Sequence, residues 1–145
     1  MSVLEPFAEL GRQVNGLTVV STLRVDSTIQ ASVVNAGVMQ GPLDDLPVLA
    51  FVTYGKVKIA NLRARPQIAA TVQAGWRWAT VEGSATIVGP DDPHADIDTE
   101  RLRVVLRDVF LAAGGTHDNW DEYDRTMIEQ RRAAVLITPS RVYSN

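Results

Sequence analysis

Residues 46–66 read LPVLAFVTYGKVKIANLRARP, and the change of pattern within this stretch decides how the chain is interpreted. Leu46 to Tyr54 is a nearly continuous apolar run after its proline, which is typical of a strand buried on both faces. Lys58 to Arg65 then reads as one or two turns of helix. That helix ends before Pro66, because the residue before a proline avoids helical geometry. The stretch predicts a buried strand that leads directly into a short helix.

The junction between strand and helix contains both lysines of the chain, Lys56 and Lys58, although the sequence has fourteen basic residues. Thr53 offers a hydroxyl at the end of the strand, and Gly55 lets the backbone come close to a ligand. The first amide groups of a helix and its dipole attract anions. These features together predict a site for a phosphate or a polycarboxylate. Ordinary solvated surface lysines are the alternative.

On both sides of this stretch the hydrophobic pattern predicts further strands and helices. Strands are expected at 17–24, 28–37, 67–74, 77–88 and 133–142, and helices at 5–14, 100–112 and 119–131. Gly83 interrupts one of the long strands, which indicates a bulge or a close backbone approach. Closely spaced strands with helices inserted late favour a mainly β, mostly antiparallel barrel with helical additions. Six strands predict a small barrel that shares a surface with a second copy.

Composition narrows the classes of function. A chain of 145 residues is about one domain, taken here as 1–145, and 46% hydrophobic with 21% charged residues is an ordinary globular balance. The net charge of −3 argues against a nucleic-acid partner reached by bulk electrostatics. The sequence shows neither a secretory signal nor an apolar run long enough to span a membrane. We therefore expect a cytoplasmic protein with neither a membrane nor a nucleic-acid partner.

Residues for covalent catalysis or metal binding are scarce. The chain has no cysteine, no G-x-S-x-G motif and two histidines, His94 and His117, for which ordinary surface roles are expected. The acidic loop at 91–98 matches no calcium-loop pattern. Neither a G-x-G-x-x-G fingerprint nor a Walker loop is present. We predict no catalytic side chain and no metal site.

Three segments carry a resemblance to a known family. Residues 53–66 are similar to the phosphate-binding stretch of the split β-barrel proteins, the pyridoxamine 5'-phosphate oxidase-like flavoproteins and their actinobacterial relatives that use coenzyme F420. Residues 75–83, GWRWATVEG, look like the long family strand that ends in Glu-Gly. The third segment, 117–143, resembles the carboxyl-terminal helix and strand of the deazaflavin branch. The resemblance covers nearly the whole chain in the same order.

The resemblance implies a homodimer with the coenzyme in a groove between two barrels. It places Val33, Phe51, Val52 and Thr53 beside the coenzyme ring, Lys56, Lys58 and Asn61 at its phosphate or tail, and Trp76 and Trp78 of the partner subunit against it. Structural alternatives stand beside these roles. Val33 and Phe51 are core residues on any interpretation, Asn61 can satisfy backbone groups of the short helix, and the tryptophans can pack a dimer interface.

The function that follows from the resemblance is an F420-dependent oxidoreductase that transfers a hydride between the deazaflavin and a small organic substrate. A lysine pair at an open groove suits the polyglutamyl tail of F420. FMN is the alternative coenzyme, because the same groove accepts it in the wider family. A non-catalytic split barrel that binds or stores F420, flavin or haem is the alternative class. The sequence departs from the family in having Lys56 where an arginine is expected, which keeps the charge but loses the bidentate fork.

Overall fold

The structure is a computed structural model that describes residues 3–145. The strands are β1 (Leu17–Leu23), β2 (Ile29–Gln40), β3 (Pro47–Thr53), β4 (Gln67–Ala74), β5 (Arg77–Val88) and β6 (Ala133–Ser144). The helices are α1 (Glu5–Gln13), α2 (Lys56–Ala64), α3 (Thr99–Ala112) and α4 (Trp120–Glu129). Across residues 3–145, none of the helices combines the length and apolar character that crossing a membrane requires.

The six strands close into a barrel in the order β1-β2-β3-β6-β5-β4, and β4 pairs back with β1. Every neighbouring pair is antiparallel. Helix α1 packs against β2, β4 and β5, α2 packs against β1 and β5, and α3 lies across β2, β3 and β6. The predicted small antiparallel barrel with helical additions is confirmed.

Most predicted boundaries agree with the structure to within two residues, but β2 and α2 differ in ways that affect the site. Strand β2 continues to Gln40, three residues beyond the predicted end, because 36–40 pair with β3. Helix α2 begins at Lys56 and not at Lys58, with Gly55 as its N-cap residue. Both lysines therefore lie within the first turn of the helix.

Strands β2 and β3 stay together along only part of their length. Their pairing ends where Ala36 faces Phe51. Before Ala36, β2 pairs only with β1, and after Phe51, residues Val52 and Thr53 of β3 pair only with β6. The two strands thus separate at one end of the barrel, and a groove opens between them.

Two apolar clusters stabilise the fold, one inside the barrel and one outside it. The inner cluster fills the barrel and includes Phe51, Val81 and the buried side chains of α1. The outer cluster joins Ala50 and Leu136 to helices α3 and α4. Because β3 contributes alternate residues to both clusters, it is buried on both faces, as its apolar sequence predicts.

Gly83 marks an irregularity between β5 and β6. The register shifts between Glu82 and Gly83. A Cβ atom at Gly83 would lie 2.1 Å from the carbonyl oxygen of Thr138, which is far too close for any side chain. The predicted bulge with close backbone approach is confirmed.

Candidate functional site

The junction of β3 and α2 is held by a local hydrogen bond at Thr53. The side chain of Thr53 is buried, and its Oγ1 accepts a hydrogen bond of 3.1 Å from the backbone N–H of Gly55. No side chain caps the amino terminus of α2. The first amide groups of the helix therefore lack the side-chain acceptor that usually satisfies them.

Lys58 is the most unusual residue of the junction. Its side chain is only 7% exposed, and Nζ lies 5.8 Å from the centroid of the Phe51 ring. Within residues 3–145 the ammonium group has neither an acidic partner nor a hydrogen-bond acceptor. Burial lowers the pKa of Lys58 from its ordinary value, with no charged group to offset the effect. A buried cation without a counter-ion is a place where a bound anion is stabilised strongly.

Asn61 and Lys56 occupy different environments from Lys58. Lys56 is exposed at the start of α2. Asn61 is buried, and its Nδ2 donates a 3.0 Å hydrogen bond to Oγ1 of Thr22 on β1. Arg65 donates from Nη2 to Oδ1 of Asn61 at 3.5 Å, and from Nε to the carbonyl of Leu23 at 2.9 Å. Asn61 thus ties α2 to β1, and its predicted contact with a coenzyme stays a prediction.

A pocket of about 550 Å³ lies where the groove between β2 and β3 meets the two carboxyl-terminal helices. Its wall includes Val34 and Val52 from the strands, Phe110 from α3, Tyr123 and Met127 from α4, and Arg132. Val52 is the predicted site residue that lines it directly. The volume and the mixture of apolar walls with a few polar groups are typical of small-molecule sites.

Tyr123 and Arg132 are the two ionisable side chains on the wall of the pocket. The hydroxyl of Tyr123 donates a 2.9 Å hydrogen bond to the carbonyl of Leu106, and burial raises its pKa to about 12. Tyr123 is therefore a neutral donor at physiological pH, and its proton is engaged within the protein. The Arg132 guanidinium lies 4.2 Å from the centroid of the Tyr54 ring, just beyond the end of β3.

The two helices that form this wall are fixed to each other. Arg107 of α3 donates from Nε to Oδ1 of Asp124 on α4 at 3.0 Å, and its guanidinium lies over the Trp120 ring. The Arg107 guanidinium holds the pKa of Asp124 below its ordinary value. The side chain of Phe110 packs among Trp120 and Tyr123 with ring centroids 6.1 and 4.9 Å away. These contacts tie α3 to α4 along the wall of the pocket.

Of the nine predicted site residues, Val52 lines this pocket, and Val33, Trp76 and Trp78 lie outside both the pocket and the junction of β3 and α2. Val33 is on the outer face of β2 and is 62% exposed. Trp76 stands at the β4–β5 turn and is 92% exposed, while Trp78 packs edge-on against Tyr143 at 6.0 Å. The expectation that Val33 is a core residue is therefore wrong, because its side chain lies on the face of β2 that points away from the barrel interior. The predicted coenzyme contacts of Val33, and those of the two tryptophans from a partner subunit, stay predictions.

Sequence reasoning left Arg132, Tyr54 and Phe110 out of the candidate site. The apolar stripes of α3 and α4 were visible in the sequence, but no spacing indicated that these helices face the groove. The aromatic side chains at 110, 120 and 123 supplied the available signal. They recur near the ends of two consecutive helices and meet in one cluster in the structure.

The acidic loop after β5 is engaged in ion pairs with basic residues. Arg63 donates from Nε to Oδ2 of Asp92 at 2.9 Å, and Arg131 pairs with Asp91. Nowhere in residues 3–145 do three or more His, Asp or Glu side chains gather closely enough to hold a metal ion. His117 accepts a 3.0 Å hydrogen bond at Nδ1 from the N–H of Asn119, next to the start of α4.

No protein-family model matches the chain. Solved structures do match its fold. A pyridoxamine 5'-phosphate oxidase-related, FMN-binding protein from Nostoc punctiforme PCC 73102 is 15% identical, with a TM-score of 0.66 over 99% of this chain and 84% of that chain. The protein thus has the split β-barrel fold of the pyridoxamine 5'-phosphate oxidase-like proteins, as the resemblance of residues 53–66 implies.

Two further solved structures share this fold across most of both chains. A conserved hypothetical protein from Mycobacterium tuberculosis is 22% identical, with a TM-score of 0.66 over 99% of this chain and 84% of that chain. A structure named F420 reductase is 18% identical, with a TM-score of 0.59 over 90% of this chain and 91% of that chain. At these identities the likeness establishes the fold but not the roles of individual residues.

Proposed function

We propose that the protein is an oxidoreductase that binds coenzyme F420 and transfers a hydride between the deazaflavin and a small organic substrate. The observation that carries this proposal is Lys58, a 7% exposed ammonium group without an acidic partner beside the uncapped start of α2. Such a position is costly in the free protein and is relieved by a bound phosphate. Lys58 and the first amides of α2 would hold that phosphate.

The pocket next to this junction suits a planar ring. Val34 and Val52 supply apolar walls from the two strands, and the pocket opens from the groove in which β2 and β3 separate. A bound deazaflavin or flavin supplies the hydride chemistry. The protein residues would bind the phosphate and hold the ring at the strand wall of the pocket, and the helices α3 and α4 would exclude water from it.

F420 is preferred over FMN because positive charge continues from the interior to the surface. Lys58 is buried at the junction, while Lys56, on the same helical turn, is exposed. This sequence of charges suits an anion that extends beyond its phosphate into several carboxylates. The structural likeness to a protein named F420 reductase, over 90% of this chain, is a further support. FMN is the alternative, supported by the likeness to the FMN-binding protein.

We further propose that the protein is a homodimer. The outer faces of β1 and β2 carry exposed apolar side chains, at positions 17, 19, 29 and 33. Val19 and Val33 face each other across the two strands, so these side chains form one continuous surface. Exposed apolar patches of this kind mark protein–protein interfaces. A partner packed here would bury the patch, which supports the predicted contribution of a second subunit to the groove.

Titration of the purified protein with oxidised F420, FMN and haem tests the coenzyme proposal. We expect F420 to bind with a dissociation constant well below about 100 μM, which corresponds to about −5.5 kcal/mol. Lys58→Met keeps the length of the side chain and removes the charge, and Lys56→Ala removes the exposed amine. Both variants should bind F420 more weakly, while Arg125→Ala, at an exposed position in α4, should not. If none of the three ligands binds, the proposal is wrong.

The same variants separate the alternatives. Loss of the glutamate tail from the ligand should reduce the effect of Lys56→Ala but not that of Lys58→Met, because the two side chains are assigned to different parts of the coenzyme. Equal affinities for FMN and F420 would favour the flavin alternative. Oxidation of reduced F420 by candidate acceptors then distinguishes an enzyme from a carrier protein that only binds the coenzyme.

Sedimentation equilibrium tests the homodimer. Val33→Glu places a charge in the apolar patch and should shift the protein towards monomer. Val25→Glu introduces the same charge at an exposed position in the β1–β2 turn and serves as the control. A wild-type protein that sediments as a monomer at micromolar concentration would contradict the proposal.

A further inference from the structure

Arg132 is a cation on the pocket wall whose charge is not neutralised by the protein. Its Nε donates a 2.7 Å hydrogen bond to Oε1 of Gln130, and its guanidinium stacks on Tyr54. Over residues 3–145 no carboxylate lies within ion-pairing distance of it, and neither Nη atom donates a hydrogen bond. Two unused donor groups of a stacked, oriented guanidinium therefore remain at the pocket.

The neighbouring arginines differ in this respect. Arg131, the adjacent residue, pairs with Asp91, and Arg107 and Arg103 on α3 both pair with Asp124. Stacking on an aromatic ring holds a guanidinium in place without neutralising it. The Tyr54 ring thus holds the Arg132 guanidinium in position, and its charge remains available to bind an anion.

The rest of the pocket wall offers no second charge. Val52, Val109, Phe110 and Met127 are apolar, and the hydroxyl of Tyr123 is engaged with a backbone carbonyl. Asn15 and Asn35, on the opposite side, contribute neutral polar groups, with Nδ2 of Asn35 donating to the carbonyl of Asn15 at 2.8 Å. A ligand that fills this pocket meets apolar walls and one guanidinium.

We propose that the substrate of this site is a small molecule with an apolar body and one anionic group, a carboxylate or a phosphate, and that Arg132 pairs with that group. This inference rests on the proposed function, since it names the substrate class of the same oxidoreductase. Arg132 would donate hydrogen bonds to the anion from its two free Nη atoms, while Phe110 and Met127 contact the apolar body. Arg132 then determines which substrates are bound.

The coenzyme tail is the other possible source of an anion near Arg132. The substrate is favoured because the two lysines assigned to the coenzyme are absent from the wall of this pocket, whereas Arg132 lies on it together with residues of α3. The pocket thus has a cationic group of its own, distinct from the phosphate site at the start of α2. Binding measurements with and without the coenzyme distinguish the two sources.

A matched pair of probes tests the inference without knowledge of the natural substrate. 2-Naphthoate and 2-naphthamide have nearly the same shape and differ in charge. Calorimetric titration of both into the protein saturated with F420 should show tighter binding of the naphthoate. Arg132→Gln should weaken naphthoate binding by about tenfold or more, since a hydrogen bond to a charged group is lost, and should leave naphthamide binding unchanged. Arg132→Lys, which keeps the charge, should retain part of the preference, and Arg125→Gln should retain all of it.

Each result has a defined meaning. Loss of the naphthoate preference in Arg132→Gln, with unchanged affinity for F420, supports the inference. Wild-type protein that does not distinguish the two probes overturns it. A drop in F420 affinity in Arg132→Gln, with the naphthoate preference unchanged, assigns Arg132 to the coenzyme tail and also overturns it. Failure of F420 to bind the wild type refutes the proposed function instead, and the probe titrations on the free protein then still report on Arg132.

Discussion

Replacing Lys58 by methionine should stabilise the protein and at the same time weaken its binding of the coenzyme. The ammonium group is nearly buried and lacks a partner over the described chain, so its charge costs folding free energy. Methionine has a similar length and an apolar tip, and it can fill the buried space that the lysine stem occupies. This one substitution therefore tests both the folding free energy that the buried charge costs and the coenzyme affinity that it contributes.

The expected gain in the free energy of unfolding comes from removing one desolvated, unpaired ammonium group. Leaving a buried polar group unsatisfied costs about 1–3 kcal/mol, and we take about 1–2 kcal/mol because Lys58 keeps 7% of its surface exposed. For a chain of this size that corresponds to a rise in Tm of about 3–4 °C per kcal/mol. The loss of a charge-assisted hydrogen bond to the coenzyme phosphate should weaken binding by about tenfold to a hundredfold.

The gain should also depend on pH. Burial lowers the pKa of Lys58 in the folded protein relative to the unfolded chain. The destabilisation is therefore fully present below the folded-state pKa, where the group is charged in both states. It fades as the pH rises from that value towards the pKa of a free lysine. The stability difference between Lys58→Met and wild type should shrink at alkaline pH.

Urea unfolding at fixed protein concentration measures the stability difference, and tryptophan quenching on F420 titration measures affinity. A variant that is less stable than the wild type and binds F420 equally well would refute the reasoning at both steps. A variant that is more stable but binds equally well would refute only the assignment of Lys58 to the phosphate.

Two further predictions concern the fold. Gly83→Ala should lower the free energy of unfolding by about 2 kcal/mol or more, because its Cβ would lie 2.1 Å from the Thr138 carbonyl oxygen. Gly11→Ala, which has open space around it in α1, should instead raise the free energy of unfolding by about 0.5–1 kcal/mol. Denaturant unfolding of the two variants measures both effects. Asp124→Asn should remove about 1.5 kcal/mol by breaking the contact with Arg107. The contact with Arg107 lowers the pKa of Asp124 in the folded state. The stability that it contributes is therefore present above the unfolded-state pKa and is lost as the pH falls through the folded-state pKa. The stability of Asp124→Asn should consequently change less with pH in acid than that of the wild type.

The barrel was predictable because each element has a strong local signal. The apolar run at 46–54 indicated a strand buried on both faces, and β3 is such a strand. The end of β2 was placed too early, since 36–40 are held by pairing with β3, a register that depends on a distant part of the chain. The sequence also does not predict that β2 and β3 separate, because the separation depends on the residues at which their hydrogen-bonded pairing ends.

The site was predictable only in part. The composition of 53–58 predicts an anion site, which stays a prediction, but it does not predict the burial of Lys58. That burial depends on the face of α2 that packs against β1 and β5, and the sequence pattern places the start of the helix at Lys58, two residues after its observed start. The wall that contains Arg132 could not be assigned, because the packing of α3 and α4 beside the groove depends on tertiary contacts.

The placement of both lysines in one helical turn has a practical consequence for chemical labelling. The chain carries two lysine amines, at positions 56 and 58, and the second is nearly buried. An amine-reactive ester applied to the folded protein therefore reaches Lys56 far more readily than Lys58, and Lys56 lies in the candidate site. The extent of acylation at Lys56, read by mass spectrometry, becomes a direct reporter of whether the groove is occupied.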